Sequence, residues 1–321
     1  MLSRPADEAI DVVYTWVDDA WPGYIEQLRQ HAADRHDLNP NRTRDNLQVL
    51  KYSLRSVAQF LPWARRVYLV TCRPQVPPWL NPAAVRVVHH DEFIPRVNLP
   101  TFNSFAIVAN LHRLPGLARR FVYVEDDRLF GRAVTPFDFF DESGRTLVYQ
   151  ALRGTAGADK QQVEGASPWN LALAQSNALL DRRFGRRRRP QVKFAPLAVD
   201  LESWHEMVDT WPEAFARTSA SRFRAAGNVV PEHVYPYFVL GTGRGVRVPR
   251  GTMLRHAWYQ PINNVVPLQS LGMARLRWFA PKFACLNDNY GARPNPVSVR
   301  VVQRALERWF PAPSVFERAS S

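Results

Sequence analysis

The sequence predicts an α/β fold, a doubly wound sheet flanked by helices. Three observations carry that expectation. Over residues 10–131, short β-branched and aromatic runs alternate with stretches whose apolar residues recur at a helical period. Phe121-Val122-Tyr123-Val124 is an unbroken apolar run, as a strand buried on both faces is, and it delivers Glu125-Asp126-Asp127 before Gly131. Near the carboxyl end, Lys282-Phe283-Ala284-Cys285-Leu286 leads to Asn287-Asp288-Asn289 in the same way.

In chain order, Ile10 to Val17 reads as the first strand, ending in Asp18-Asp19, because β-branched and aromatic residues suit a pleated, buried surface. Pro22 opens a helix to Ala33, and His36 to Arg44 is polar loop. From Asn46 to Phe60 the spacing of Leu47, Leu50, Leu54 and Val57 predicts a helix. Arg66 to Thr71 and Val85 to Val88 are the next strands. Asn103 or Ser104 can cap a helix that runs to Leu114, where Pro115-Gly116 ends it. Beyond the acidic strand, Thr146 to Gln150 reads as a strand and Gly154 to Gly165 as a glycine-rich loop. Ser167-Pro168-Trp169 starts a helix to Asp181. Helices follow at Asp200 to Trp211, Pro212 to Arg224 and Val230 to Leu240; Gly241 to Gly251 is loop and strand. Val297 to Trp309 closes the chain as an amphipathic helix.

The acids at the end of the central run are where chemistry is expected. In open α/β sheets ligands collect outside the carboxyl ends of the strands, and hard divalent cations prefer carboxylate oxygens, so residues 125–127 suit a metal-bound phosphate. A solvated acidic turn is the competing reading. The net charge of +13 has a local source: Arg182, Arg183, Arg186, Arg187, Arg188 and Arg189 precede Pro190. Such blocks are usually solvated loops; otherwise they meet anionic partners, here an anionic membrane face. Nucleic acid is disfavoured, because only Phe184 interrupts the run and stacking platforms need more aromatics. Cys72 and Cys285 form neither a disulfide framework nor a metal-ligand spacing, which suits a reducing cytoplasm. The amino-terminal residues are polar rather than signal-like, and no apolar run reaches the ~18 residues that span a bilayer. His89-His90-Asp91 offers ligand types without a second cluster to complete a site. His112 and Arg113 fall within the predicted helix, and His256 and Trp258 lie where an acceptor could be reached.

Four blocks stand in order along the chain. The first is Asp11-Val12-Val13-Tyr14-Thr15-Trp16-Val17-Asp18. The second comprises Tyr52 to Ser56, Pro62-Trp63, Pro78 to Asn81, Leu99 to Ser104, His112 to Leu117 and Asp126-Asp127. The third is Pro196 to Arg224, and the last is Cys285 to Asn289. Together they resemble the Stealth family, which includes bacterial capsule phosphotransferases and the catalytic subunit of the enzyme that tags lysosomal glycoproteins. The resemblance implies a Rossmann-like, glycosyltransferase-A-like mixed sheet with a mainly helical insertion. It also implies transfer of a sugar-1-phosphate, GlcNAc-1-phosphate, from a UDP-sugar donor to a hydroxyl of a saccharide or glycolipid acceptor, with UMP released. Alternatives are a metal-dependent glycosyltransferase that releases UDP, and a non-catalytic relative that binds nucleotide sugars or polyanions.

Carried over residue by residue, the resemblance assigns Asp127 and Asp288 to a Mg²⁺ or Mn²⁺ ion, with Asp127 in the catalytic set, and Arg224 to the phosphate. Tyr14, Thr15, Trp16 and Asp18 would line the uridine pocket, and Asn103 and Ser104 would face a phosphate or sugar hydroxyl. The chain departs from the family at Val108, usually glutamate, and at Phe105 and Phe194, histidine in relatives; Glu125 replaces an asparagine. Because a histidine or glutamate is the natural general base, either Glu125 or Asp126 is expected to take that role or a different acceptor to need less activation. Residues 1–321 then read as one catalytic domain. Residues 1–150 are its nucleotide-sugar half, 151–275 its mainly helical acceptor side, and 276–321 a final strand and helix completing the core.

Overall fold

The computed structural model describes residues 8–33, 47–154, 167–192, 195–291 and 293–319. The chain begins with β1 (Ile10–Thr15), α1 (Tyr24–His31), α2 (Val49–Phe60), β2 (Ala64–Thr71), β3 (Val85–His89), α3 (Ser104–Ala109), β4 (Arg120–Glu125) and β5 (Arg128–Phe130). It continues through β6 (Thr146–Val148), β7 (Gln150–Gly154), α4 (Pro168–Phe184), β8 (Pro190–Val192), β9 (Leu197–Asp200), α5 (Leu201–Thr210), α6 (Pro212–Ala220) and α7 (Pro231–Gly241). Last come β10 (Gly245–Arg247), α8 (Arg250–His256), β11 (Ala257–Ile262), α9 (Val266–Phe279), β12 (Phe283–Asp288) and α10 (Pro296–Trp309).

The main sheet has the order β3-β2-β1-β4-β9. β1, β2, β3 and β4 are parallel, and β9 joins β4 antiparallel, which makes the sheet mixed. Strand residues alternate between two cores, as a period of two requires. Val13, Tyr68, Phe121 and Tyr123 face Ile107, Trp204 and Tyr235 of α3, α5 and α7. Val12, Tyr14, Leu69, Val122 and Val124 face Leu50, Leu54 and Val57 of α2. A second sheet, β11-β12-β5, lies beside the first and packs with α9 and α10 around Leu129, Ile262, Met273, Leu286 and Leu306. The last strand therefore completes a core of its own and does not enter the main sheet.

One buried charge at the sheet is well held. Asp11 is fully buried and receives two bonds from the Arg65 guanidinium, at 2.8 and 2.6 Å, and one from the Ala118 amide at 2.7 Å. A buried carboxylate is tolerable only with such partners.

Three expected helices have different bounds. α3 stops at Ala109 because Asn110 turns its amide onto the Ala106 carbonyl at 2.8 Å and onto Ser219 Oγ at 2.9 Å. α6 stops at Ala220, where Ser221 Oγ bonds back to the Arg217 carbonyl, so Arg224 lies on a loop rather than in a helix. α4 extends to Phe184, carrying Arg182 and Arg183 outward. The arginine run is not uniformly solvated: Arg186, Arg187 and Arg188 are exposed, but Arg189 is buried, pairs with Asp181 and lies over the Tyr237 ring. Beyond Gly154, the expected glycine-rich loop falls outside the described residues, as does Phe194. β9, β11 and α9 were not marked by any sequence pattern. No helix among the described residues is long and apolar enough to cross a membrane.

Candidate active site

β1 is followed on one side by β2 and on the other by β4, so the chain reverses its direction of travel across the sheet at β1. Ligands gather at such switch points, outside the carboxyl ends of the strands. Here Thr15 and Glu125, the last residues of β1 and β4, are register partners, and Thr15 Oγ1 lies 2.9 Å from the Tyr123 hydroxyl. A cleft of about 300 Å³ opens over them. Trp16, Tyr24, Phe102 and Phe223 make one side of it aromatic; Ser104, Glu125, Asp126, Arg224 and Glu232 make the other side polar and charged. Phe102 and Phe223 stack with centroids 5.2 Å apart, and Tyr24 meets Phe102 edge-on.

Arg224 is fixed by what lies beneath it. Its Nη2 donates to Ser104 Oγ at 2.7 Å, and its guanidinium sits 4.8 Å from the centroid of the Phe105 ring. The loop that carries it is tied to the start of α3 by Asn103. The Asn103 amide donates to the Ser221 and Phe223 carbonyls and to Asn228 Oδ1 at 2.9–3.1 Å, while its oxygen caps the helix by accepting from the Phe105 amide at 3.1 Å. Phe102 N donates to the Arg222 carbonyl, and Arg222 Nε to the Pro100 carbonyl. A cation placed this way on a rigid support suits a phosphate without reorganisation.

The acids meet at the corner between the two sheets. Glu125 forms an ion pair with Arg128, and Arg128 Nε also lies 3.3 Å from Asp127 Oδ1. The Asp127 carbonyl accepts from the Leu286 amide at 2.9 Å, and its Oδ2 accepts from Cys285 Sγ at 3.3 Å. Asp288 is two residues further along β12, with Oδ1 accepting from the Tyr290 amide at 2.8 Å. The antiparallel ladder between β5 and β12 thus draws the two sequence-distant acids to the same end of this sheet. Asp127 Oδ1 is buried without a hydrogen-bond partner, although 30% of the side chain is accessible. Among the described residues no three His, Cys, Asp or Glu side chains converge on one point. A closed zinc-type site is therefore not built, whereas Mg²⁺, which takes one or two carboxylates and completes its shell with phosphate oxygens and water, fits this pair.

Burial sets the protonation of the groups around the cleft. His90 is driven down to about 3 by burial and by His89 beside it, so it faces the cleft as neutral imidazole. Burial pushes the Cys72 thiol up to about 12, leaving it protonated and unreactive. Burial likewise raises Glu232 to about 7, against the opposing pull of its own amide and of Arg224 and Arg128. Asp127 is also raised, by burial first.

Residues 42–148, 195–241 and 274–321 match the Stealth protein conserved regions 2, 3 and 4. The chain belongs to the Stealth family. Stealth relatives include the exopolysaccharide phosphotransferase CpsY of Mycobacterium tuberculosis, 33% identical over 97% of this chain and 58% of CpsY. Another is the exopolysaccharide phosphotransferase SCO6023 of Streptomyces coelicolor, 34% identical over 96% of this chain and 52% of its own length. The chain thus spans about half the length of the curated relatives it matches. Similar solved structures include the galactosyltransferase LgtC in complex with donor and acceptor sugar analogs, with TM-score 0.42 and 13% identity over 95% of this chain and 97% of LgtC. The bifunctional glycosyltransferase WbbM gives TM-score 0.47 and 11% identity over 94% of this chain and 50% of its own.

In this Stealth chain, six of the residues singled out in the sequence share the cleft wall: Thr15, Trp16, Ser104, Glu125, Asp126 and Arg224. Others have different places. Tyr14 is buried in the core, its hydroxyl 2.6 Å from Ser53 Oγ, and so cannot face a uridine. Asn103 is fully buried and spends its amide on the Arg224 loop, a positioning role rather than contact with a phosphate. Asp18 bonds locally, through its backbone to Gln75 and its carboxylate to the Ala20 amide. Asp127 and Asp288 lie at the neighbouring corner rather than on the wall itself. Val108 is core. Glu232 was missed: after Pro231 it reads as an ordinary acid in a first helical turn, and only the fold turns it towards Arg224.

Proposed function

We propose that this protein transfers a sugar-1-phosphate, GlcNAc-1-phosphate in our reading, from a UDP-sugar to a hydroxyl of a cell-surface saccharide, releasing UMP. The observation that carries this is Arg224, held by Ser104 and Phe105 at the mouth of a switch-point cleft that pairs an aromatic side with strand-end carboxylates. The names of the Stealth relatives, exopolysaccharide phosphotransferases, support the same class of reaction.

The aromatic side, Trp16 with Tyr24 and the Phe102–Phe223 stack, offers ring faces to a uracil. Arg224 then meets the diphosphate at the phosphorus that bears the sugar. Asp127 and Asp288 are the residues that would hold Mg²⁺ or Mn²⁺, whose chemistry is to neutralise charge on the leaving phosphate. Positioning and charge complementarity, rather than covalent chemistry by the protein, do most of the catalysis in phosphoryl transfer. The exposed arginines from Arg182 to Arg188 give the protein a face for peripheral contact with an anionic membrane.

Incubation with UDP-GlcNAc, Mn²⁺ and a saccharide acceptor tests the reading, with the nucleotide product identified by chromatography and phosphorus NMR. UMP is expected. UDP would assign the chain to glycosyl transfer instead, and no binding of UDP-GlcNAc in calorimetry would remove the nucleotide-sugar site altogether.

A further inference from the structure

A second cavity, of about 160 Å³, adjoins the cleft. The two share Ser104, Tyr123, Glu125, Trp169, Arg224 and Glu232, so these residues form the boundary between them. The second cavity runs from there past Arg128 towards Gln191 and Val192 of β8. If a donor diphosphate lies against Arg224 with its nucleoside among the aromatics, this cavity is the space from which a hydroxyl would approach the sugar-bearing phosphorus.

Glu232 stands at that boundary with one carboxylate oxygen unengaged. Its Oε2 is buried and has no hydrogen-bond partner. Glu125, one of the two acids expected from the sequence to act as base, is instead engaged by Arg128 in an ion pair. An ion-paired carboxylate is a poor proton acceptor; a buried one outside such a pair, with an oxygen free, is a better one.

We infer that the second cavity is the acceptor subsite and that Glu232 is the general base of the transfer. This rests on the sugar-1-phosphate reading above. In the step, the acceptor O–H gives its proton to a Glu232 carboxylate oxygen as the acceptor oxygen bonds to the sugar-bearing phosphorus. The bond from that phosphorus to the bridging oxygen breaks, and its electron pair leaves with UMP. The groups that face Glu232 are the Arg224 and Arg128 guanidinium groups and the Tyr123 phenol, with Glu125 across the cavity and His233 beside it on α7. Its ordinary ionisation is displaced towards neutrality by burial, to about 7.

The test uses the whole chain with UDP-GlcNAc and Mn²⁺, and water and glycerol as acceptor probes, following UMP release against pH. For Glu232→Gln we expect kcat to fall about 10²- to 10⁴-fold while the dissociation constant for UDP-GlcNAc, from calorimetry, stays within about threefold. The rise of kcat with pH near neutrality should vanish in Glu232→Gln and persist in Glu125→Gln. Formate should restore part of the rate to Glu232→Ala, which a merely structural role would not allow. Retention of parental kcat and of the same pH limb in Glu232→Gln, or transfer of the limb's loss to Glu125→Gln, overturns the inference alone. A parent protein that binds UDP-GlcNAc but never cleaves its diphosphate overturns the transfer reading, and this inference with it.

Discussion

Replacing Asn103 by alanine should loosen the support of Arg224 without removing any side chain from the cleft wall. The side chain's two N–H hydrogens serve three acceptors, the Ser221 and Phe223 carbonyls and Asn228 Oδ1, and its oxygen caps α3. Its two N–H donors contribute about 1 kcal/mol each. The lost cap adds about 1 kcal/mol. Together these predict a loss of about 3 kcal/mol, or a urea midpoint lower by about 1 M for a slope near 3 kcal/mol per M.

Two companion variants separate the contributions. Asn103→Ser keeps a capping oxygen but loses the amide, and should recover about 1 kcal/mol of the loss. Asn103→Asp keeps the cap but aims an anion at three acceptor oxygens, so it should be no more stable than Asn103→Ala. UDP-GlcNAc affinity should weaken in parallel with stability, because the segment from Ser221 to Asn228 carries Arg224. An Asn103→Ala midpoint indistinguishable from the parent, or an Asn103→Asp protein as stable as the parent, would refute the bridging role.

Arg224→Ala should lower kcat about 10²- to 10³-fold, as loss of one preorganised charged donor does, and Arg224→Lys should recover little, since an ammonium cannot both bond Ser104 and lie flat on Phe105; steady-state UMP release checks both. Asp127→Asn and Asp288→Asn should each weaken Mn²⁺ binding in the presence of UDP-GlcNAc, by an order of magnitude or more, in a metal titration; unchanged metal affinity in both would remove the proposed pair. Buried His90 and His233 are both held down to about 3, so below about 6.5 the unfolded chain binds protons that the native one refuses. Stability should therefore fall as pH drops from about 6.5 towards 4, each histidine contributing about 1.4 kcal/mol per pH unit at the steep part. Urea midpoints at successive pH values measure it, and a flat profile would contradict the burial of these rings as neutral species.

The parallel strands were legible because each is a short, nearly continuous apolar run, and the acids that end β4 announced the site. β9 was not, since Leu197-Ala198-Val199 is too short a run to stand out and pairs antiparallel at an edge. α9 was hidden by Pro267 and Gly272, the second of which makes room for Gln260: a Cβ there would collide with Gln260 Nε2. Arg224 was expected at the end of a helix and lies on a loop, because the propensity of Pro212 to Arg224 favours a helix throughout. What ends that helix at Ala220 is non-local: Ser221 and Asn228 exchange a hydrogen bond, and Asn103 reaches across from another part of the chain. Periodicity within one segment carries no trace of that contest.

The same physics favours a base on α7 over the acids at 125 and 126. The family resemblance leads one to expect ionisable residues where this chain has Phe105 and Val108, and the adjacent acids at 125 and 126 to compensate. In the fold, Phe105 supplies the flat face on which Arg224 rests, and Val108 belongs to the core beneath α3. An apolar wall under an arginine leaves the cation's charge directed outward, to the cleft, and a carboxylate that shared that wall would have been drawn into an ion pair, as Glu125 is by Arg128. A group that must accept a proton has to stay out of such pairing. Glu232, brought in at the start of α7 and set between Arg224 and the second cavity, gains enough positive potential to be retained there and enough burial to keep a proton affinity near neutrality. Apolar residues on α3 and an acid on α7 are thus two halves of one arrangement, and exchanging Phe105 for a histidine should disturb Arg224 before it supplies a second base.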